Sequence, residues 1–170
     1  GELRLDDRRL GYDRLLLATG AEPRRLDVPG AELAGILYLR TVADSERIAE
    51  RFERGRRLVV VGSGWIGAEI AASARMKGCE VTMIEMATLP LERVLGPEVG
   101  QIYLDVHRDH GIEFLPETTV ERFEGEGSLE RVVTCDGALI ETDVAIVGVG
   151  VTPRVQLAED RRHVVVDGSP

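Results

Sequence analysis

The run Leu58-Val59-Val60-Val61 passes without a break into Gly62-Ser63-Gly64-Trp65-Ile66-Gly67, and this junction constrains the fold more than any other stretch. A short apolar run of this kind suits a strand buried on both faces. Residues 65–77 then carry Ile66, Ile70 and Ala74 on one helical stripe, and Gly78 is a C-terminal stop. A second strand, 80–85, follows at once and ends on Glu85. Strand, GxGxxG, helix, strand and a terminal acid are the parts of a dinucleotide-binding βαβ unit. Gly62 permits the tight turn. Gly64 removes a side chain where a pyrophosphate approaches, and Gly67 lets helix and strand pack closely. The helix start offers unpaired N–H groups and partial positive charge to phosphates.

Glu85 follows Gly62 at the expected offset of about 20 residues, where a carboxylate accepts hydrogen bonds from the adenosine ribose. It opposes a 2′-phosphate, and Met86 and Ala87 supply no cation, so NADH is the expected cofactor rather than NADPH. Arg93 is the one cation of the following loop, with two readings: a solvated arginine or a cofactor-phosphate ligand. Glu69 is either a surface glutamate near a helix start or a carboxylate facing the nicotinamide. Gly148-Val149-Gly150 ends the last apolar strand. It is either an ordinary turn or the place where backbone approaches the nicotinamide half, beyond the carboxyl ends of the strands. Trp65 packs near the cofactor or serves structure alone. His107 and His110 read as surface histidines, since no further metal ligand accompanies them.

Elsewhere, 2–5 and 11–18 read as strands, the second buried on both faces through Leu15-Leu16-Leu17-Ala18. Residues 21–35 read as a linker rich in Pro and Gly. Helix is expected over 41–54, and again from Pro97 to Gly111 after a loop at 86–96. Strand 112–115 precedes three short strands, 118–124, 129–134 and 138–141, the last two joined by the hairpin signal Asp136-Gly137. Strand 144–147 follows. The expected fold is α/β: a Rossmann-like parallel sheet with a glycine-rich loop and an antiparallel three-stranded β-meander.

The net charge of −9 argues against nucleic acid as a partner. No apolar run approaches a membrane span, and no apolar stretch follows a basic start, which points to a soluble, cytoplasmic protein. Cys79 and Cys135 form no metal or redox spacing and read as buried or half-buried thiols. Lysine occurs once, at Lys77 in a polar helix end, so Schiff-base chemistry is not expected. Arg51, Arg54, Arg56 and Arg57 form a basic cluster. A solvated helix end explains it more simply than a docking patch for an acidic ferredoxin.

Several motifs in order carry a family resemblance: Tyr12-Asp13-Arg14-Leu15-Leu16-Leu17-Ala18-Thr19-Gly20-Ala21, Leu39-Arg40-Thr41-Val42-Ala43-Asp44, Val60-Val61-Gly62-Ser63-Gly64-Trp65-Ile66-Gly67-Ala68-Glu69, Glu85, and Val147-Gly148-Val149-Gly150-Val151-Thr152-Pro153. The sequence resembles the pyridine nucleotide-disulfide oxidoreductase superfamily, nearest its FAD-dependent NADH:ferredoxin and rubredoxin reductases of oxygenase and P450 systems. The resemblance implies an NAD domain inserted into an FAD domain, with 24–147 as the NAD part, 1–23 a fragment of the FAD part and 148–170 the return to it. It implies Thr19, Gly20 and Arg40 at FAD, and Gly64, Ile66, Glu69, Glu85, Gly148 and Gly150 at NADH. It also implies a ferredoxin- or rubredoxin-like electron acceptor. No GxGxxG precedes Gly62, and the family's second FAD segment is expected just after 164–167, so the chain reads as part of a longer protein. An NADH oxidase, a peroxide or disulfide reductase, and an isolated non-catalytic NAD-binding module stay open as alternatives. A methyltransferase does not, because of the Thr-Gly and Gly-Val-Gly strand ends. Oligomeric state is left open.

Overall fold

The computed structural model describes residues 1–159. The chain forms β1 (Glu2–Leu5), β2 (Arg8–Gly11), β3 (Ala21–Pro23), β4 (Ile36–Tyr38), α1 (Val42–Ala49), β5 (Arg57–Val61), α2 (Trp65–Met76) and β6 (Glu80–Ile84). It continues through α3 (Glu92–Asp109), β7 (Ile112–Leu115), β8 (Val120–Glu124), β9 (Arg131–Thr134), β10 (Leu139–Glu141), β11 (Val144–Val147), β12 (Val151–Pro153) and α4 (Gln156–Glu159). Two compact units result among the described residues: Pro23–Val151, and Gly1–Glu22 with Thr152–Glu159.

In the larger unit, five strands lie in the order β4-β11-β5-β6-β7, and every pair is parallel. Alternation along β5 shows why its run is apolar throughout. Leu58 and Val60 join a core with Ile70, Ala71 and Ala74 of α2 and Leu104 of α3. Val59 and Val61 face the other way, into a core with Val120, Phe123 and Val132 of the antiparallel sheet β10-β9-β8. Successive side chains of a strand point to opposite faces. The sheet is therefore covered by helices on one side and the meander on the other; the parallel sheet and the three short antiparallel strands are both present as expected.

Asp143, just before β11, ties the starts of two central strands. Its carboxylate accepts from the Arg57 backbone N–H at 2.9 Å and from the guanidinium at 2.8 Å. The guanidinium holds the Asp143 carboxyl below its ordinary range. The folded-state pKa thus lies under the unfolded one of about 3.9. The stabilisation is complete above that value and is lost as pH falls through the lower folded one. The two side chains are 42% and 39% exposed, so screening limits the pair to about 1 kcal/mol. Asp143→Ala is expected to lower the melting temperature by about 2–4 °C at pH 7. In melts repeated toward pH 3 that difference should shrink; a pH-independent difference would refute the assignment.

Several expected elements differ. Residues 12–18 form no strand, and Leu16 is 87% exposed. A strand buried on both faces needs neighbours, and no described strand pairs with this segment. β2, Arg8–Gly11, begins three residues before the expected second strand and pairs with β1 in an antiparallel hairpin. β3 and β4 fall where a linker or no element was expected. α1 stops at Ala49 rather than 54. Its capping box, Thr41 with Asp44, is present, but the chain tightens through i→i+3 bonds from Arg51 to Ile48 and from Phe52 to Ala49. Phe52 still packs on the core. A helical turn at Glu92 precedes the expected start at Pro97. Gly96, at φ 79°, kinks the helix between them.

In the smaller unit, β12 pairs with β3. The Arg154 guanidinium donates to the Glu22 carboxylate at 2.8 Å, and the Arg154 backbone N–H donates to the Gly20 carbonyl at 2.9 Å. Residues 164–167, before the expected second FAD segment, lie outside the described residues.

Candidate functional site

The glycine loop leaves β5 at the point where the sheet order reverses, between β5 and β11. Ligands of open α/β sheets bind at such a crevice. Gly62 has φ +95°, and a Cβ there would meet the Gly148 carbonyl oxygen at 2.5 Å. Its N–H donates to the Ile84 carbonyl at 2.8 Å, and that of Gly148 donates to Val61 at 2.8 Å. The ends of three strands are thus drawn together. Gly67 lies buried under the loop, where a Cβ would come within 1.9 Å of the Gly62 oxygen. Gly64 is the opposite case, with open space where a Cβ would stand. It is the N-cap of α2 and supplies no side-chain cap, and no acid lies in the first turn. The first N–H groups of α2 thus face this space with their partial positive charge uncompensated by side chains.

A cleft of about 590 Å³ opens here. Gly62, Gly64, Ile66, Glu85, Gly148, Val149 and Gly150 all line it, as do Trp65 and Arg93. Trp65 is 48% exposed and meets Tyr103 edge-on. Glu85 is half-buried at the end of β6. Its Oε2 accepts from the Ser63 N–H and Oγ–H, and its Oε1 accepts from the Ala87 N–H.

Other expected site residues lie elsewhere. Glu69 is exposed on α2 and is not among the cleft-lining residues. Arg40 is exposed beside the α1 cap, its backbone N–H donating to Asp44 at 3.1 Å. Thr19 and Gly20 belong to the smaller unit, where the Thr19 hydroxyl donates to the Arg154 carbonyl. Arg56 and Arg57 of the basic cluster are engaged by Glu53 and Asp143. They sit at the start of β5, about 17 Å along the strand from Gly62.

Two expectations are corrected. His107 is buried, not on the surface: it lies 53° tilted against Tyr103. Burial, with His110 nearby, lowers its pKa below the ordinary imidazole value. No group of metal-ligating side chains occurs among the described residues. Cys79 is buried as expected, but Cys135 is exposed. Sequence reasoning missed Leu91 and Thr118, which line the cleft, and Ser63, which is buried outside the lining and donates to Glu85. Ser63 occupies a variable position of the loop motif, and the other two come from loops without periodicity.

Fold and cleft together define a dinucleotide-binding domain of the Rossmann-like α/β class, with an antiparallel meander on one face of the sheet. The chain belongs to the pyridine nucleotide-disulphide oxidoreductase family, whose family model matches residues 2–168. It is 39% identical over 155 residues to rhodocoxin reductase of Rhodococcus erythropolis, covering 91% of this chain and 36% of that protein. The ferredoxin reductase for the CYP199A2 system from Rhodopseudomonas palustris superposes with a TM-score of 0.87 at 39% identity, over 94% of this chain and 40% of that one. The covalent putidaredoxin reductase–putidaredoxin complex gives 0.85 at 38% identity, over 92% and 39%. The chain thus spans well under half the length of these relatives. No helix among the described residues is long and apolar enough to cross a membrane.

Proposed function

We propose that this chain is the NADH-binding part of an FAD-dependent reductase that passes electrons to a ferredoxin-like protein. The carrying observation is Glu85, held at the end of β6 beside a glycine loop with open space at Gly64. The names of the similar proteins support the acceptor class: one is a ferredoxin reductase, and another is joined to putidaredoxin. In this reading residues 1–23 are a fragment of the flavin domain, 148–170 are the return segment toward it, and the protein works in the cytoplasm.

The residues present fit a dinucleotide. The cradle at Gly64 admits a pyrophosphate that a Cβ would obstruct, and the α2 N–H groups favour its charge. Glu85 accepts a ribose hydroxyl. Gly148 and Gly150 bring bare backbone to the far wall of the cleft. NADH, when bound, supplies a hydride, and FAD converts two-electron to one-electron transfer; the chain's own part is binding and orientation. Thr19, Gly20 and Arg40 are assigned to FAD by family likeness. The test is NADH-driven reduction of a plant-type [2Fe–2S] ferredoxin, together with a bound-flavin spectrum, on the whole protein. A protein that binds neither NADH nor flavin overturns the reading.

Glu69 is assigned to the nicotinamide half on the same basis. Glu69→Ala is expected to weaken NAD about tenfold or more, roughly the loss of one hydrogen bond to a charged group. ADP-ribose binding should stay unchanged. Calorimetry with both ligands separates the cases; equal weakening, or none, makes Glu69 a surface residue.

A further inference from the structure

We infer that Ser63 is the positioning residue that makes Glu85 discriminate between NADH and NADPH. The inference rests on the proposed role of Glu85 as ribose acceptor. Ser63 is fully buried and lies outside the cleft lining, so its hydroxyl meets no cofactor. It acts through Glu85 alone. Its N–H and Oγ–H both donate to Oε2, each at 2.7 Å. The Ala87 N–H donates to Oε1 at 2.9 Å. An ionised carboxylate has about four acceptor positions. Three are filled here, and the open one is on Oε1. Ser63 therefore decides which oxygen is offered, and in which plane.

The serine also anchors what surrounds the carboxylate. Its carbonyl accepts from the Leu91 N–H at 3.2 Å. Leu91 is buried at φ 55°, a conformation uncommon for a residue with a branched side chain. One residue thus joins the glycine loop, the end of β6 and the start of α3. The consequence is selectivity. A glutamate free to rotate would turn away from a 2′-phosphate and tolerate NADPH. This one turns only by breaking charge-assisted hydrogen bonds, which are about twice as strong as neutral ones.

Ser63→Ala removes the hydroxyl and keeps the N–H. Calorimetric titration is expected to show NADH binding weakened roughly three- to tenfold, with NADPH unchanged or tighter. In a Glu85→Ala background the same substitution should alter NADH affinity less than about twofold, since no carboxylate remains to be held. Equal losses for both cofactors, or an undiminished loss in the Glu85→Ala background, would make Ser63 a purely structural residue and overturn the inference. If Ser63→Ala does not fold, Ser63→Cys, close in size and a weaker donor, gives the same readout. An unsubstituted chain that binds no NADH would instead overturn the proposed function.

Discussion

Alanine at position 67 is expected to cost about 2 kcal/mol of stability and to abolish tight NADH binding. Two effects oppose each other. Gly→Ala inside a helix gains about 1 kcal/mol of propensity. Against this, the new methyl would stand 1.9 Å from the Gly62 oxygen and 3.0 Å from its carbon. Both are backbone atoms of the turn, so no flexible side chain can yield. α2 must move away from β5, and overpacking of this kind costs about 1–3 kcal/mol, at times more. Repulsion wins, because relieving it also disturbs the Gly62 N–H bond to Ile84. The melting temperature should fall by roughly 4–8 °C. Gly64→Ala is the control. Nothing lies within 4 Å of its Cβ position and its φ is −68°, so the melt should shift little while NADH affinity drops at least tenfold, as the methyl fills the phosphate cradle. A Gly67→Ala protein with unchanged melting and binding would refute the packing account.

The βαβ unit was legible because every signal in it is local. The run at 58–61 shows a strand buried on both faces, the three glycines follow at fixed spacing, and Glu85 ends the next strand. The structure brings Val61, Gly62, Gly64 and Glu85 into one cleft, with Gly67 packed against the turn at Gly62. β4 was not legible. Ile36–Tyr38 is three residues long and becomes a strand only by pairing with Ala145–Val147, far along the chain. The reverse failure occurred at 12–18, where an apolar run implied burial that the described strands do not provide. His107 was misread because charged neighbours hid the stripe it shares with Gly100 and Leu104, the buried residues of α3. The roles given to Thr19, Gly20, Arg40 and Glu69 came from family likeness and have no local signature of charge or burial.

Glu85 should make the chain prefer NADH over NADPH by roughly tenfold to a hundredfold. A hydrogen bond to a charged group contributes about 1.5–3 kcal/mol, and each 1.4 kcal/mol is about a factor of ten in affinity. In the proposed site the open position on Oε1 would accept a ribose hydroxyl of NADH. With NADPH the same oxygen faces a phosphate that offers no proton and carries like charge. Met86 and Ala87, which also line the cleft, cannot compensate. Arg93 is the cation that could reduce the penalty, since it lines the same cleft. It is exposed and screened by solvent, whereas Glu85 is half-buried and fixed by three donors. The carboxylate should therefore dominate. Glu85→Ala is expected to weaken NADH about tenfold and to improve NADPH, closing most of the gap. Titration of both cofactors against both proteins by calorimetry decides it: equal affinities in the unsubstituted chain would show that Arg93 balances Glu85, and the assignment of an NADH site would fail.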